Sequence, residues 1–220
     1  MIRVIVWKEL RETIRDRNLL SSGLSVLLLL VLLNTTTLRH IAINMDSLVF
    51  YMTPCIGVMV AFSMSNRFVR EKQEGIIETL LSTPLTLKEL WLGKVIGLTI
   101  PSYTITLATV LALIYLKAHA MNEAMIVYLL LVIPVLIAST TGLLGLLQYT
   151  LGMKQIQALN YIVFLTLFTT LFITSRILAT NNNITWEAIE TVLALSAITL
   201  SITTYLISKL DKEKTITTID

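Results

Sequence analysis

A chain of 220 residues with 55% hydrophobic and only 14% charged positions, and a mean hydropathy of +0.79, lacks the roughly 25% charged content of soluble domains and reads as an integral membrane protein. The net charge of +3 is small, its placement matters more than its size, and it calls for no nucleic-acid partner. The single cysteine, Cys55, excludes an intramolecular disulfide, so the redox compartment cannot be read.

The chain opens on "MIRVIVWKELRETIRDRN". Ile2, Ile5, Trp7, Leu10 and Ile14 fall largely on one side of a helix, with Arg3, Lys8, Glu9, Arg11, Glu12, Arg15 and Asp16 on the rest. An amphipathic helix with basic residues and a Trp suits the cytoplasmic interface. It orients the first span on the simpler reading and moves with it as a lever on the other. No A-x-A-like cleavage site follows the first apolar run, so that run is expected to stay in the protein.

Runs free of Asp, Glu, Lys and Arg then recur at Leu19–Leu38, Ser47–Asn66, Val95–Leu116, Ala124–Met153, Gln155–Ser175 and Thr191–Ser208. A helix crosses ~30 Å of hydrocarbon with roughly 20 apolar residues, so each run can span. Six transmembrane helices are predicted, at about 19–38, 47–66, 95–116, 124–150, 155–176 and 188–208, with residues 1–18 as the interfacial helix and 209–220 as a tail. The fourth run is long, and its Pro134 with Gly142 and Gly145 predicts a kink or an end that dips into the headgroups. Gly57, Ala61 and Ser65 in the second span, and Ala138 and Gly142 in the fourth, are small residues at a spacing that permits close helix contact.

Between spans two and three stands a charged segment, residues 67–94, ending in "REKQEGIIETLLSTPLTLKELWLGK" from Arg70 to Lys94. Arg67/Glu71 and Arg70/Glu74 are i,i+4 pairs that support a helix to about Leu81. Ser82-Thr83-Pro84 stops it, because the residue before proline is pushed out of the α region. Thr86-Leu-Lys-Glu89 is a capping box that starts a second helix running through Trp91 and Lys94 into the third span. Ile76, Ile77, Leu80 and Leu81 form an apolar patch on this otherwise charged hairpin, which predicts a docking surface for a soluble partner rather than a plain connector.

Six spans put both termini on one side. With that side cytoplasmic, fourteen of the seventeen Lys and Arg lie inside, and only Arg39, Lys117 and Arg176 lie outside. The outer loops are too short to hold a soluble domain. The sequence contains no phosphate-binding loop, since Gly93-Lys94 is followed by Val95, and neither a zinc H-E-x-x-H nor a G-x-S-x-G elbow. None of the charge-free runs that mark the spans holds a carboxylate, which disfavours a proton-coupled carrier. Met52, Cys55 and Met59 share a face of span two, a soft-ligand set for Cu(I) read more simply as packing. No catalytic, cofactor-binding or metal residue is assigned. Thr166, Thr170 and Thr174 share a face of span five, either bonded to their own helix or forming a mildly polar wall.

The stretch from Glu71 to Lys94 resembles the region between spans two and three of ABC-2 type transporter permeases, with Glu71, Gly75, Glu78, Leu80, Thr83, Pro84, Leu85, Glu89, Gly93 and Lys94 matching and Ile76 departing. The layout and the N-terminal elbow helix are also similar to that family. The resemblance implies an all-α polytopic exporter subunit in the membrane of a prokaryotic cell, paired with a second copy or a related permease. Its 67–94 hairpin would act as a coupling hairpin, through Glu71, Glu74, Gly75, Glu78, Leu80, Leu81, Thr83 and Pro84, to a separate ATP-binding subunit that holds the ATP and Mg. Spans two and five would line the path, with Thr53, Thr166, Thr170 and Thr174 as candidate wall residues. Two alternatives stay open: a haem-exporter-like permease of cytochrome c maturation, and a non-transporting anchor or sensor for a cassette ATPase.

Overall fold

The computed structural model describes residues 2–15, 45–74, 86–116, 121–151 and 186–210, with the single positions 155, 161, 165 and 169. Among the described residues all regular structure is helical: α1 (Ile2–Arg15), α2 (Met45–Gln73), α3 (Leu87–Leu116), α4 (Glu123–Val127), a π-helical turn (Tyr128–Val132), α5 (Ile133–Thr150) and α6 (Trp186–Lys209). Among the described residues three stretches are long and apolar enough to cross a membrane: Leu87–Leu116, Glu123–Thr150 and Trp186–Lys209. They answer to predicted spans three, four and six. Predicted span two appears as the shorter apolar helix Val49–Ser65 within α2. Spans one and five lie outside the described residues, apart from isolated positions of the fifth.

Helices α2 and α3 contain 29 and 30 residues. At 1.5 Å per residue each is ~45 Å long, well beyond the ~30 Å hydrocarbon thickness. The surplus lies at the charged ends, the end of α2 and the start of α3, so both arms of the 67–94 segment are rigid continuations of spans. The start of α3 carries the anticipated capping box. The Thr86 N–H donates to Glu89 Oε2 at 3.1 Å, and the Glu89 N–H donates back to Thr86 Oγ1 at 3.2 Å. Those Thr86 bonds hold the Glu89 carboxyl below its ordinary range, ahead of the charge-free run.

The bundle packs by small residues receiving large ones. A Cβ on Gly57 would lie 3.1 Å from the Ile137 side chain, so α2 and α5 meet there. Trp91 is wholly buried, and its indole N–H donates to the Gly142 carbonyl at 3.1 Å. A Cβ on Gly142 would sit 3.0 Å from the same ring. Gly142 is therefore a seat for an indole, which must find an acceptor when buried. Several buried serine and threonine hydroxyls bond within their own helices: Thr53 on the Val49 carbonyl at 2.6 Å, Ser102 on Leu98 at 2.8 Å and Thr106 on Ser102 at 2.8 Å. In α6 the inward positions include Ser196 and Thr203, while Leu195, Ile198 and Ile202 face outward. Small polar inside and aliphatic outside is the pattern of a helix whose solvent is lipid. Tyr115 and Trp186 are exposed at one end of the bundle. Tyr205 is exposed at the other, under Lys209 with the ammonium 4.6 Å from its ring centre, as befits interfacial anchors.

The irregularity expected near Pro134 is a π-helical turn. Ile133 N–H bonds the Tyr128 carbonyl, five residues back. The next bond in that wider register would come from position 134, which is proline and has no N–H. The Leu129 carbonyl receives the Tyr103 hydroxyl of α3 instead, at 3.2 Å. Tyr128 fastens the same turn to α2: its ring stacks on Phe50 at 4.7 Å, and its hydroxyl donates to the Phe50 carbonyl at 3.1 Å.

Helix α1 buries part of its polar face. Trp7 and Val4 point outward, while Glu9 and Thr13 are buried. The cause lies on α3. Cβ atoms on Gly93 and Gly97 would fall 2.8 Å from Ile5 and 2.6 Å from the Glu9 Cβ, so two glycines four apart form a groove that only their lack of side chains permits.

Two predictions follow from this packing. Gly97→Ala should lift α1 from α3, so a thiol placed at the buried Thr13 should label several-fold faster than in the Gly97 parent; equal rates would remove the groove from the account. Tyr103→Phe should cost about 0.5–1.5 kcal/mol of unfolding stability in bilayer or detergent. In a Pro134→Ala background that cost should shrink, because the restored N–H can serve Leu129. Equal costs in both backgrounds would contradict the assignment.

Candidate functional site

The charged ends of α2 and α3 meet α1 at one place. Along α2 and α3 the contacts run antiparallel: Gly57 lies by Thr106, Met64 Sδ lies 3.1 Å from the Ser102 hydroxyl oxygen, and Glu71 reaches Lys94. Continuing an antiparallel pair for one more turn past the apolar core brings two charges together. Glu71 and Lys94 form a buried ion pair, with side-chain exposures of 9% and 3%. Their neighbours on α2 behave differently. Arg70 and Glu74 make the exposed i,i+4 pair read from the sequence, at 3.7 Å.

The third wall is α1. Its Glu9 is buried and its Glu12 half-buried, and a carboxylate oxygen of each lies within 4.8 Å of the other and of one from Glu71. Glu12 is also paired with Lys8 at 3.6 Å, and the Thr13 hydroxyl donates to the Glu9 carbonyl at 2.7 Å. Tyr149, at the end of α5, is an electrostatic neighbour of Glu9. Three acidic oxygens so close could serve a hard divalent cation. Here the Lys94 ammonium already supplies positive charge to Glu71, and the α1 carboxylates stand beside that pair.

Of the residues assigned from sequence to the ATP-binding-subunit contact, Glu74 is exposed and Glu71 is turned inward onto Lys94. Gly75, Glu78, Leu80, Leu81, Thr83 and Pro84 lie outside the described residues. Of the candidate path residues, Thr53 is fully buried with its hydroxyl on Val49. Thr166, Thr170 and Thr174 lie outside the described residues, but Thr169 beside them back-bonds to the Leu165 carbonyl at 2.6 Å. Cys55 is half-buried and Met59 exposed on α2.

Sequence reasoning missed Glu9, the inward turn of Glu71, and Lys94 as its partner. A usable signal was present: Gly93 and Gly97 form a G-x-x-x-G step with the lysine inside it, at the edge of a charge-free run. A lysine there is buried if another helix fills the groove.

A comparison with curated protein sequences finds no match. The family model described as ABC-2 type transporter matches residues 1–209, nearly the whole chain. Together with the apolar spans and the all-helical architecture of the described residues, this places the chain in the ABC-2 type transporter family, as a multi-pass membrane permease component of an ABC transporter.

Proposed function

We propose that this chain is the membrane subunit of an ATP-driven exporter, working as a pair and driven by a separate ATP-binding subunit seated on residues 67–94. The observation that carries this reading is mechanical. The two arms of that segment are unbroken extensions of α2 and α3, locked to each other by Glu71 and Lys94 and to the elbow helix through Gly93 and Gly97. A force applied at the tip is delivered to two spans and the interfacial helix at once. The outward-facing Glu74, with Gly75, Glu78, Leu80, Leu81, Thr83 and Pro84, forms the contact with the partner, and Glu71 holds the arms together beneath it. Both termini are cytoplasmic, which sets the 67–94 segment on the side where ATP is available. Spans two and five line the path, with Thr166, Thr170 and Thr174 on its wall, and the path opens alternately to the two sides as the partner binds and hydrolyses ATP.

The test pairs hairpin variants with a control. The purified chain alone should hydrolyse no ATP. In the complex, Glu78→Lys reverses a charge at the contact, and Pro84→Ala loosens the turn by restoring backbone freedom. Both should insert normally and lose partner binding or stimulated ATPase, with transport into vesicles falling in step. Lys117→Ala, on the outer side, should leave all three at the parental level. Parental binding, stimulation and transport in both hairpin variants would reduce the segment to a connector. Stimulated ATPase without movement of any solute would favour a sensor over a transporter.

A further inference from the structure

Helix α1 has two unlike faces. On one, Ile5 meets Gly93 and Glu9 meets Gly97 of α3. The other carries Arg3, Val4, Trp7, Lys8, Arg11 and Arg15, all exposed, with Val4 at 73% and Trp7 at 68%. At 3.6 residues per turn these positions fall within about 140° of the helix. Lys8 has Glu12 at 3.6 Å, and among the described residues no carboxylate is paired with Arg3, Arg11 or Arg15. The groove sets the level of this face. Ile5 and Glu9 step along α1 as Gly93 and Gly97 step along α3, so Trp7 stands near the level of Val95, where the charge-free run of span three begins. Trp7 is therefore at the edge of the hydrocarbon, where an indole prefers to sit.

We propose that the outward face of α1 is a binding surface for anionic phospholipids. An interfacial helix needs only an apolar edge, which any bilayer accepts. The arginines go further, because a guanidinium fork matches phosphate oxygens two at a time and a cation gains most beside a leaflet of net negative charge. Arg3 lies about 6 Å along the axis on the cytosolic side of Trp7, at 1.5 Å per residue. Arg11 and Arg15 continue the stripe on the other side, with stems long enough to return their charged heads to the phosphates. Val4 and Trp7 lie against the acyl chains of the lipids whose headgroups the arginines hold. Through Gly93 and Gly97 that lipid charge bears on the end of α3. This surface is separate from residues 67–94 and stands whether or not a partner subunit drives them.

The test places the full chain in vesicles of phosphatidylcholine and phosphatidylglycerol in equal parts, with bromine on the acyl chains of one lipid or the other. Bromine quenches tryptophan on contact. The chain has three tryptophans, so the Trp7 share is the parental emission less that of Trp7→Phe. That share should be quenched several-fold more by brominated phosphatidylglycerol than by brominated phosphatidylcholine, and added salt should narrow the difference. Arg3→Gln combined with Arg11→Gln should abolish the difference and leave the emission of Trp91 and Trp186 unchanged. Arg70→Gln combined with Lys88→Gln removes the same charge from exposed positions of α2 and α3 and should keep it. Equal quenching by the two lipids in the parent, or a difference indifferent to salt, overturns the selection of anionic lipid. A Trp7 share that neither lipid quenches overturns lipid contact altogether. Quenching that disappears when the ATP-binding subunit is added gives this face to that protein instead and overturns the proposal as well.

Discussion

A lysine and a glutamate, both nearly withdrawn from solvent, hold together the charged ends of two membrane helices. Removing two charges from water costs several kcal/mol per ion, so such a pair contributes little net stability and is poorly explained as a fastener alone. What it provides is specificity. Losing either partner strands a buried charge, at a cost of about 3–5 kcal/mol, so α2 and α3 have one favourable register at that end. The elbow helix can join them only because Gly93 and Gly97 remove the side chains that would keep it off. Without that groove Glu9 would not be held beside the Glu71–Lys94 pair.

The rest of the bundle is arranged so that this end can be stiff. Apolar burial distinguishes inside from outside weakly in a bilayer, and packing depends on close approach and satisfied polar groups. Ile137 fills the gap at Gly57, and Trp91 fills the one at Gly142 while bonding its carbonyl. The hydroxyls of Thr53, Ser102 and Thr141 bond carbonyls of their own helices, so they need no partner across the bundle. At the opposite end the π-helical turn before Pro134 is clasped by Tyr103 from α3 and Tyr128 onto α2. The described helices are thus pinned at two levels, by charge at one end and by tyrosine hydroxyls at the other.

Much of this was legible in the sequence, where the signal is a local one. Charge-free runs located the third, fourth and sixth spans and the shorter apolar helix of the second, Thr86 and Glu89 announced a cap that the structure forms, and a π-helical turn precedes Pro134, where a kink or a dipping end was expected. Arg70 and Glu74 pair as their spacing implies. The failures share one cause. Helical periodicity says which residues share a face but not which face a neighbour covers. On α1 the exposed Trp7 agrees with an interfacial helix, but Glu9, grouped with the polar face, is buried against the groove on α3. Glu71 had two readings, a pair with Arg67 and a contact for a partner protein, and only the antiparallel register of α2 on α3 brings it to Lys94. The tip of the 67–94 segment, and the threonines of span five, lie outside the described residues.

The central claim is that force entering through residues 67–94 passes through the Glu71–Lys94 junction. A charge swap measures it most directly, read as solute moved per ATP hydrolysed by the reconstituted complex. Glu71→Lys and Lys94→Glu should each lower that ratio severely while the partner subunit remains bound. The double variant, which restores an opposite-charge pair in reversed order, should recover much of it. A double variant as uncoupled as either single one would contradict the account, as would single variants that keep the parental ratio.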